Sequence, residues 1–173
     1  DTEYAEAVCE KLGVDAEFVI IDWDNKFLEL DAKTIDCVWN GMTITNEVKK
    51  NTSVTDAYAK NEQVVVMKKD ELNKYKDVKS LSKLKFAVES GSAGEAAAKD
   101  NNLEYTPVSA QSDTLLEVKS GSVDACIIDS TMADAMTGKG TSYETLGHSI
   151  SLTKEEYGVG FRKGSDLVEK LNE

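Results

Sequence analysis

The chain has 173 residues, a formal net charge of -12 and a single arginine, Arg162, against 32 acidic side chains. That balance excludes a nucleic-acid surface, which needs clustered cations to displace counterions, and it disfavours anionic membranes for the same reason. The longest apolar runs, Phe18 to Ile21 and Val64 to Met67, have strand length and are far too short to cross a bilayer.

In chain order, Tyr4, Val8 and Leu12 recur at helical spacing and predict a helix over 2–12, stopped by Gly13. No signal peptide is visible in the opening residues, and targeting information is expected to have been removed. A strand is expected over 17–23, a short helix over 26–30 and a strand over 36–40. This helix-strand-helix-strand opening implies parallel strands with crossover helices. The uninterrupted Val64-Val65-Val66-Met67 run predicts a strand buried on both faces or linking two bodies. Charged residues 68–83 hold a candidate short helix before a strand over 84–89. Next come a helix around 95–99, a strand over 103–108, helices over 113–119 and 131–136, a glycine-spaced strand over 157–161 and a final helix from Asp166.

Two segments are near-copies: Ile35-Asp36-Cys37-Val38-Trp39-Asn40 and Val123-Asp124-Ala125-Cys126-Ile127-Ile128-Asp129 each follow an amphipathic stretch. The repetition makes the chain two-lobed. In each copy an apolar run ends abruptly at small or polar residues, which is where open α/β sheets bind ligands.

Four places could carry chemistry. Ser90-Gly91-Ser92-Ala93-Gly94 lies between a strand and a helix, where small residues let backbone N–H groups approach an anion such as a carboxylate. It lacks both the P-loop ending and GxGxxG spacing. The same residues suit a plain cap by Ser90 or Ser92, and both readings stay open. Asp129 follows three apolar residues, where a charge is costly unless paired, so it either meets a ligand ammonium or caps the helix after it. Asn40-Gly41-Met42-Thr43 forms the corresponding corner of the first lobe, with strand-end carbonyls and the Thr43 hydroxyl on offer. Trp23 is either an aromatic wall for a ligand or a partly buried core residue.

Cys9, Cys37 and Cys126 are odd in number and widely spaced, which fits neither a disulfide framework nor a metal site; Cys37 and Cys126 read as fillers in buried strands. His148 has no evident partner for a nucleophilic triad. No catalytic residue, metal or cofactor is expected.

These corners resemble the amino-acid-binding group of bacterial extracellular solute-binding proteins, the receptors of ABC importers. Gly41-Met42-Thr43-Ile44-Thr45 looks like the family's strand-Gly-x-Ser/Thr-Ile-Thr segment, and Ser90-Gly91-Ser92-Ala93 like its Ser-Gly-Thr loop. The Val123 to Asp129 run looks like its acid-ended strand, and Glu156-Tyr157-Gly158-Val159-Gly160-Phe161-Arg162-Lys163-Gly164 like its return crossover. The resemblance implies a two-lobed α/β fold of the type II periplasmic-binding-protein kind, each lobe a mostly parallel sheet flanked by helices. Lobe 1 would comprise 1–65 plus 159–173, incomplete, and lobe 2 would comprise 66–158. The ligand would sit between lobes that close about two hinge crossings. Gly41 and Thr43 would contact it from one lobe; the Ser92 and Ala93 amides would hold its carboxylate and Asp129 its α-amino group from the other. Trp23 would wall the side-chain pocket and Glu89 would help select the side chain. The expected ligand-binding set is thus Trp23, Asn40, Gly41, Met42, Thr43, Glu89, Ser90, Ser92, Ala93 and Asp129.

The chain departs from the family pattern in three ways. Val48 stands where the family usually has an arginine that clamps the α-carboxylate; Lys49 and Lys50 would point elsewhere, and an ammonium does not reproduce a guanidinium fork. Relatives begin with a further strand and loop and continue with further helices, so the chain is expected to be truncated at both ends: a fragment, a rearranged or engineered chain, or half of an exchanged assembly. The function implied is capture of a small metabolite, most plausibly an amino acid, for delivery to an ABC importer permease. Its place would be extracellular, periplasmic or lipid-anchored, with no membrane-spanning segment and no nucleic-acid partner. Glu89 and Asp129 favour a cationic or neutral ligand. The alternatives are an enzyme on the same fold, such as a cyclohexadienyl-dehydratase-like protein, a sensing module of a membrane receptor, or a chain whose missing segments disable the cleft.

Overall fold

A computed structural model describes residues 1–173. The chain divides into two compact units, Asp1–Lys60 with Glu156–Glu173, and Asn61–Glu155. The chain passes between them at 60/61 and 155/156.

The first unit opens with α1 (Thr2–Leu12), closed by Gly13 in the left-handed region at φ 72°. A single turn of 3-10 helix at Trp23–Asn25 runs into α2 (Lys26–Asp31). Then come β1 (Cys37–Val38), α3 (Asn46–Asn51) and β2 (Ser53–Val54). The expected strand over 17–23 does not form. Its residues join no ladder, and Phe18, Val19 and Ile20 are 55%, 51% and 101% exposed, because apolar β-prone residues make a strand only when a neighbour takes their backbone groups. The parallel pairing anticipated for this part is accordingly not made; β1 and β2 instead flank β10 (Gly160–Phe161), both antiparallel. A small core of Leu30, Val38, Met42 and Val48 holds the unit together. Thr45 starts α3 by accepting the Val48 N–H on its hydroxyl at 3.1 Å, and Val48 points inward. The unit ends with α7 (Leu167–Asn172).

The second unit is built on a five-stranded sheet. Its strands are β4 (Gln63–Lys68), β5 (Lys85–Glu89), β6 (Glu104–Val108), β7 (Ala125–Asp129) and β8 (Leu146–Ser151), in the order β6-β5-β7-β4-β8. β6, β5 and β7 run parallel, and β4 is antiparallel to both β7 and β8. Alternate residues feed opposite faces. Val65, Met67, Phe86, Val88, Ala125, Ile127 and Ile150 join Leu81, Ala97, Ala98 and Leu103 on one face. Val64, Val66, Ala87, Cys126, Ile128 and Leu146 meet Leu115, Val118 and Ala133 on the other. The unbroken apolar run in β4 is thus buried on both sides, as its composition predicts. Helix α4 (Ala93–Asp100) covers the first face, α5 (Gln111–Ser120) and α6 (Ser130–Thr137) the second. Residues 68–83 hold two 3-10 turns, Leu72–Lys74 and Lys79–Lys83, in place of the expected helix. β3 (Ala59–Asn61) and β9 (Glu155–Tyr157) pair where the chain passes from one unit to the other.

Candidate functional site

In the second unit, β5 and β7 are parallel neighbours, so Glu89 and Asp129 both end up at the carboxyl edge of the sheet. The 90–94 turn leaves β5 at this same edge. Asp129 occupies the cap position of α6, but its side chain makes no capping bond. Its carboxylate instead accepts from side-chain amides: Oδ1 from Gln63 Nε2 at 2.5 Å and Asn61 Nδ2 at 3.1 Å, and Oδ2 from Gln111 Nε2 at 3.4 Å. Gln111 Nε2 also lies 3.5 Å from Glu89 Oε2, and its Oε1 accepts the Asp129 backbone N–H at 3.0 Å. Of the two readings of Asp129, the cap therefore supplies only a backbone position.

The turn after β5 caps itself. Ser92 Oγ accepts the Glu95 N–H, and Glu95 Oε2 accepts the Gly91 N–H at 2.7 Å, with Gly91 at φ 71°. Burial raises the Glu95 pKa, but the Gly91 N–H, Lys99 and the Tyr105 hydroxyl outweigh it and hold the carboxyl below its ordinary value. Ser90, Ser92 and Ala93 are half-buried at the first turn of α4. Gly94 has no room for a side chain: a Cβ there would lie 2.7 Å from the Ile127 carbonyl oxygen, 3.2 Å from Gln63 Oε1 and 3.3 Å from Ser92 Oγ.

Sequence reasoning missed Asn61, Gln63, Gln111 and Glu155. Glu155 Oε1 accepts from the same two nitrogens as Asp129, Asn61 Nδ2 at 2.8 Å and Gln63 Nε2 at 2.7 Å. Amides carry no signal in a sequence, and Glu155 sits in a charged run that reads as solvated. The one available clue was Gln63, a polar residue opening an otherwise apolar strand directly opposite Asp129 in the β4–β7 ladder.

In the first unit, Gly41 adopts φ 58°, and its N–H donates to Asp1 Oδ2 at 2.6 Å, an oxygen that also accepts from the Tyr58 hydroxyl at 2.7 Å. Thr43 bridges to Tyr157, and Asn40 is exposed. The Met42 side chain is 1% exposed within the core, so it is not available to a ligand, and its carbonyl accepts the Gly158 N–H at 3.0 Å. Trp23 is half-buried against that core, and Lys26 Nζ stands 5.0 Å above its ring and 4.9 Å above Phe27. Val48, at the place of the family arginine, is 3% exposed among Leu30, Val38 and Met42, and Arg162 is committed elsewhere, to the Ile35 carbonyl at 2.6 Å and Asp36 at 2.9 Å. Neither serves as a carboxylate clamp.

All three cysteines are free thiols. Cys126 is wholly buried, and burial pushes its thiol up to about 12, a hydrogen bond with Thr114 opposing. Cys37 proves only half-buried, not the core filler anticipated; burial, then Asp36 and Cys9, push it up to about 11 against the pull of Arg162. The unfolded chain releases these protons near the ordinary 9.0 while the folded chain keeps them, so stability is undiminished below about pH 9 and falls as pH rises beyond it. Urea unfolding at pH 8 and pH 10 should show a lower midpoint at pH 10, and Cys126 should resist thiol reagents at pH 8 until the chain is denatured. No three His, Cys, Asp or Glu side chains form a metal-ligand group, and no helix is long and apolar enough to cross a membrane.

The chain is similar in sequence and fold to known proteins. The chain is 32% identical over 180 residues to the arginine-binding extracellular protein ArtP of Bacillus subtilis (strain 168), covering 99% of this chain and 69% of that protein. It is 27% identical to the L-cystine-binding protein TcyJ of Escherichia coli (strain K12), covering 100% of this chain and 66% of that one, so the chain spans about two thirds of the length of these relatives. The solved structure of holo ArgBP from T. maritima superposes with a TM-score of 0.89 at 32% identity, covering 99% of this chain and 76% of that one. With an acid-ended strand and a serine-capped helix at one sheet edge, this α/β fold, and a family model matching residues 1–173 throughout, the chain belongs to family 3 of the bacterial extracellular solute-binding proteins.

Proposed function

We propose that the chain is the receptor of an ABC importer for an amino acid of cationic character, acting outside the cytoplasmic membrane and releasing its ligand unchanged to the permease. The observation that carries this reading is the paired placement of Asp129 and Glu89 at the carboxyl edge of the second unit's sheet, joined through Gln111. Two carboxylates oriented by one amide at a sheet edge suit an ammonium. The α-carboxylate belongs at the first turn of α4, on the Ala93 N–H; the Ser92 N–H is given to the Glu89 carbonyl at 3.2 Å. Glu89 selects the side chain. Similarity to arginine-binding proteins supports a basic ligand, and with Val48 buried in the core the proposed carboxylate recognition is assigned to backbone N–H donation.

A ligand that binds only the folded state stabilises it by mass action, about 2.7 kcal/mol at one hundred times its Kd. For a chain of this size that raises the melting temperature by roughly 5–10 °C. In a thermal-shift panel of the twenty amino acids, L-arginine and L-lysine should give the largest rises and L-glutamate none. Flat melting curves across the panel would sink the receptor reading, and a rise with glutamate alone would sink the cationic preference.

A further inference from the structure

We propose that Cys9 and Cys37 are a disulfide-forming pair that pins α1 to β1 once the chain meets an oxidising compartment, while Cys126 stays a thiol. Both lie within the first unit, and their pairing is independent of any ligand. A bond there fixes α1 and, with it, the Asp1 carboxylate on the Gly41 N–H.

The first argument is the path of α1 over β1. Asp1 Oδ2 accepts the Gly41 N–H at 2.6 Å, and the Tyr4 ring stands edge-on to that of Trp39 at 5.3 Å between centroids. Helix and strand therefore run in opposite directions. From Tyr4 to Cys9 a helix climbs about 7.5 Å, and from Trp39 to Cys37 an extended chain covers about 6.6 Å, so the two cysteines arrive at the same level. Cys9 lies on the inward face of α1, with Ala5, 6% exposed, and half-buried Val8. Cys37 responds to it: after burial and Asp36, Cys9 is the next group that raises the Cys37 thiol.

The second argument is the internal repeat, which displays the same two positions in the second unit. Helices α1 and α4 close alike: the Val14 and Leu103 N–H groups donate to the Cys9 and Ala98 carbonyls, both at 3.0 Å, with Gly13 and Asn102 in the left-handed region at the turn. Cys9 is thus the counterpart of Ala98. Cys37 is the counterpart of Ala125, because each opens its strand directly after an aspartate, Asp36 and Asp124. Ala98 and Ala125 are both 0% exposed in one core cluster, so at this point the helix lies close on its strand. A disulfide needs that short approach between backbones. Cys126 belongs to the other unit and is wholly buried there. The family is extracellular, where disulfides persist.

The oxidant is a low-molecular-weight disulfide. One cysteine thiolate attacks a sulfur of the oxidant, whose S–S bond breaks and releases a thiolate; the second cysteine thiolate then attacks the protein sulfur of the mixed disulfide and releases the other. Two electrons pass to the oxidant, and the two protons end on its two thiols. The test incubates the reduced full chain with oxidised glutathione at about pH 8.5, blocks the remaining thiols under denaturing conditions, digests the chain and weighs the peptides. One thiol, Cys126, should remain, and one linked pair of peptides should carry Cys9 and Cys37. The melting temperature should rise by roughly 5–10 °C over the reduced form, since the link closes the loop from 9 to 37. Cys9→Ser and Cys37→Ser should each hold glutathione on the remaining partner and lose the redox-dependent rise. Glutathione on both cysteines of the unmodified chain, three free thiols, a link to Cys126, or a Cys9–Cys37 link formed only in denaturant would overturn the inference, as would a link that leaves the melting temperature unchanged.

Discussion

Asp129→Asn should weaken amino-acid binding about 100-fold or more, equivalent to about 3 kcal/mol, while the apo protein melts within a few degrees of the unmodified chain. The asymmetry follows from what the carboxylate does in the fold. Its side chain does not cap α6, so that helix loses nothing, and Asn Oδ1 still accepts from Gln63 and Asn61; only the long 3.4 Å bond from Gln111 to Oδ2 is given up. What disappears is the charge, and a ligand ammonium desolvated at a sheet edge has no substitute for it. Calorimetry gives the affinity and a melting curve the stability. Retained affinity would show that the ligand is held elsewhere, and collapse of the apo fold would show that Asp129 is an architectural residue first.

Gly94→Ala should cost about 2–3 kcal/mol of stability, lowering the melting temperature by roughly 5–10 °C, and should weaken ligand binding as well. The added methyl would stand 2.7 Å from the Ile127 carbonyl oxygen. That oxygen cannot retreat, because Ile127 is 1% exposed in a central strand and lies opposite Val65 in the ladder. Helix α4 has to lift instead, carrying the Ser92–Ala93 turn away from Asp129. Gly138→Ala is the control: its nearest neighbour is the Asp134 carbonyl at 3.5 Å and its φ of -64° suits any residue, so it should be neutral or slightly stabilising. Equal effects at the two glycines would mean that the cost is one of backbone freedom, not of contact with β7.

The candidate ligand corners, one in each unit, differ in how they are built. At the second unit's edge the polar groups come from strands and from a helix resting on a fully buried sheet, a rigid support for a carboxylate. The first unit's corner, Gly41 to Thr43, is held by an Asp1 carboxylate, the Tyr157 bridge and a cluster of four aromatic rings, Tyr4, Trp39, Tyr58 and Tyr157. Its core is smaller, and a neighbouring stretch, 14–22, lies outside any ladder with Val14 56% and Ile20 101% exposed.

Local pattern determined a good part of this. Helical spacing and Gly13 placed α1; the Val64–Met67 run gave a strand covered on both sides; an apolar run ending in Asp129, and small residues between a strand and a helix, marked one edge of a sheet. These are short-range properties, because periodicity and the preferences of Gly, Ser and Asp act within a few residues. The sequence also carried the family through motifs that extend along most of the chain. Tertiary structure alone decided which of these segments found partners. The 17–23 run has the composition of a strand and forms none; Leu146–Ser151, with Gly147 and His148 breaking its pattern, becomes an edge strand because β4 offers it a ladder. Val48 was legible as a missing clamp, but only packing showed it filling a core beside Leu30 and Met42. The amides of Asn61, Gln63 and Gln111 and the carboxylate of Glu155 come together from positions up to 94 residues apart, and a hydrogen bond depends on distances of a few tenths of an ångström that no linear pattern encodes.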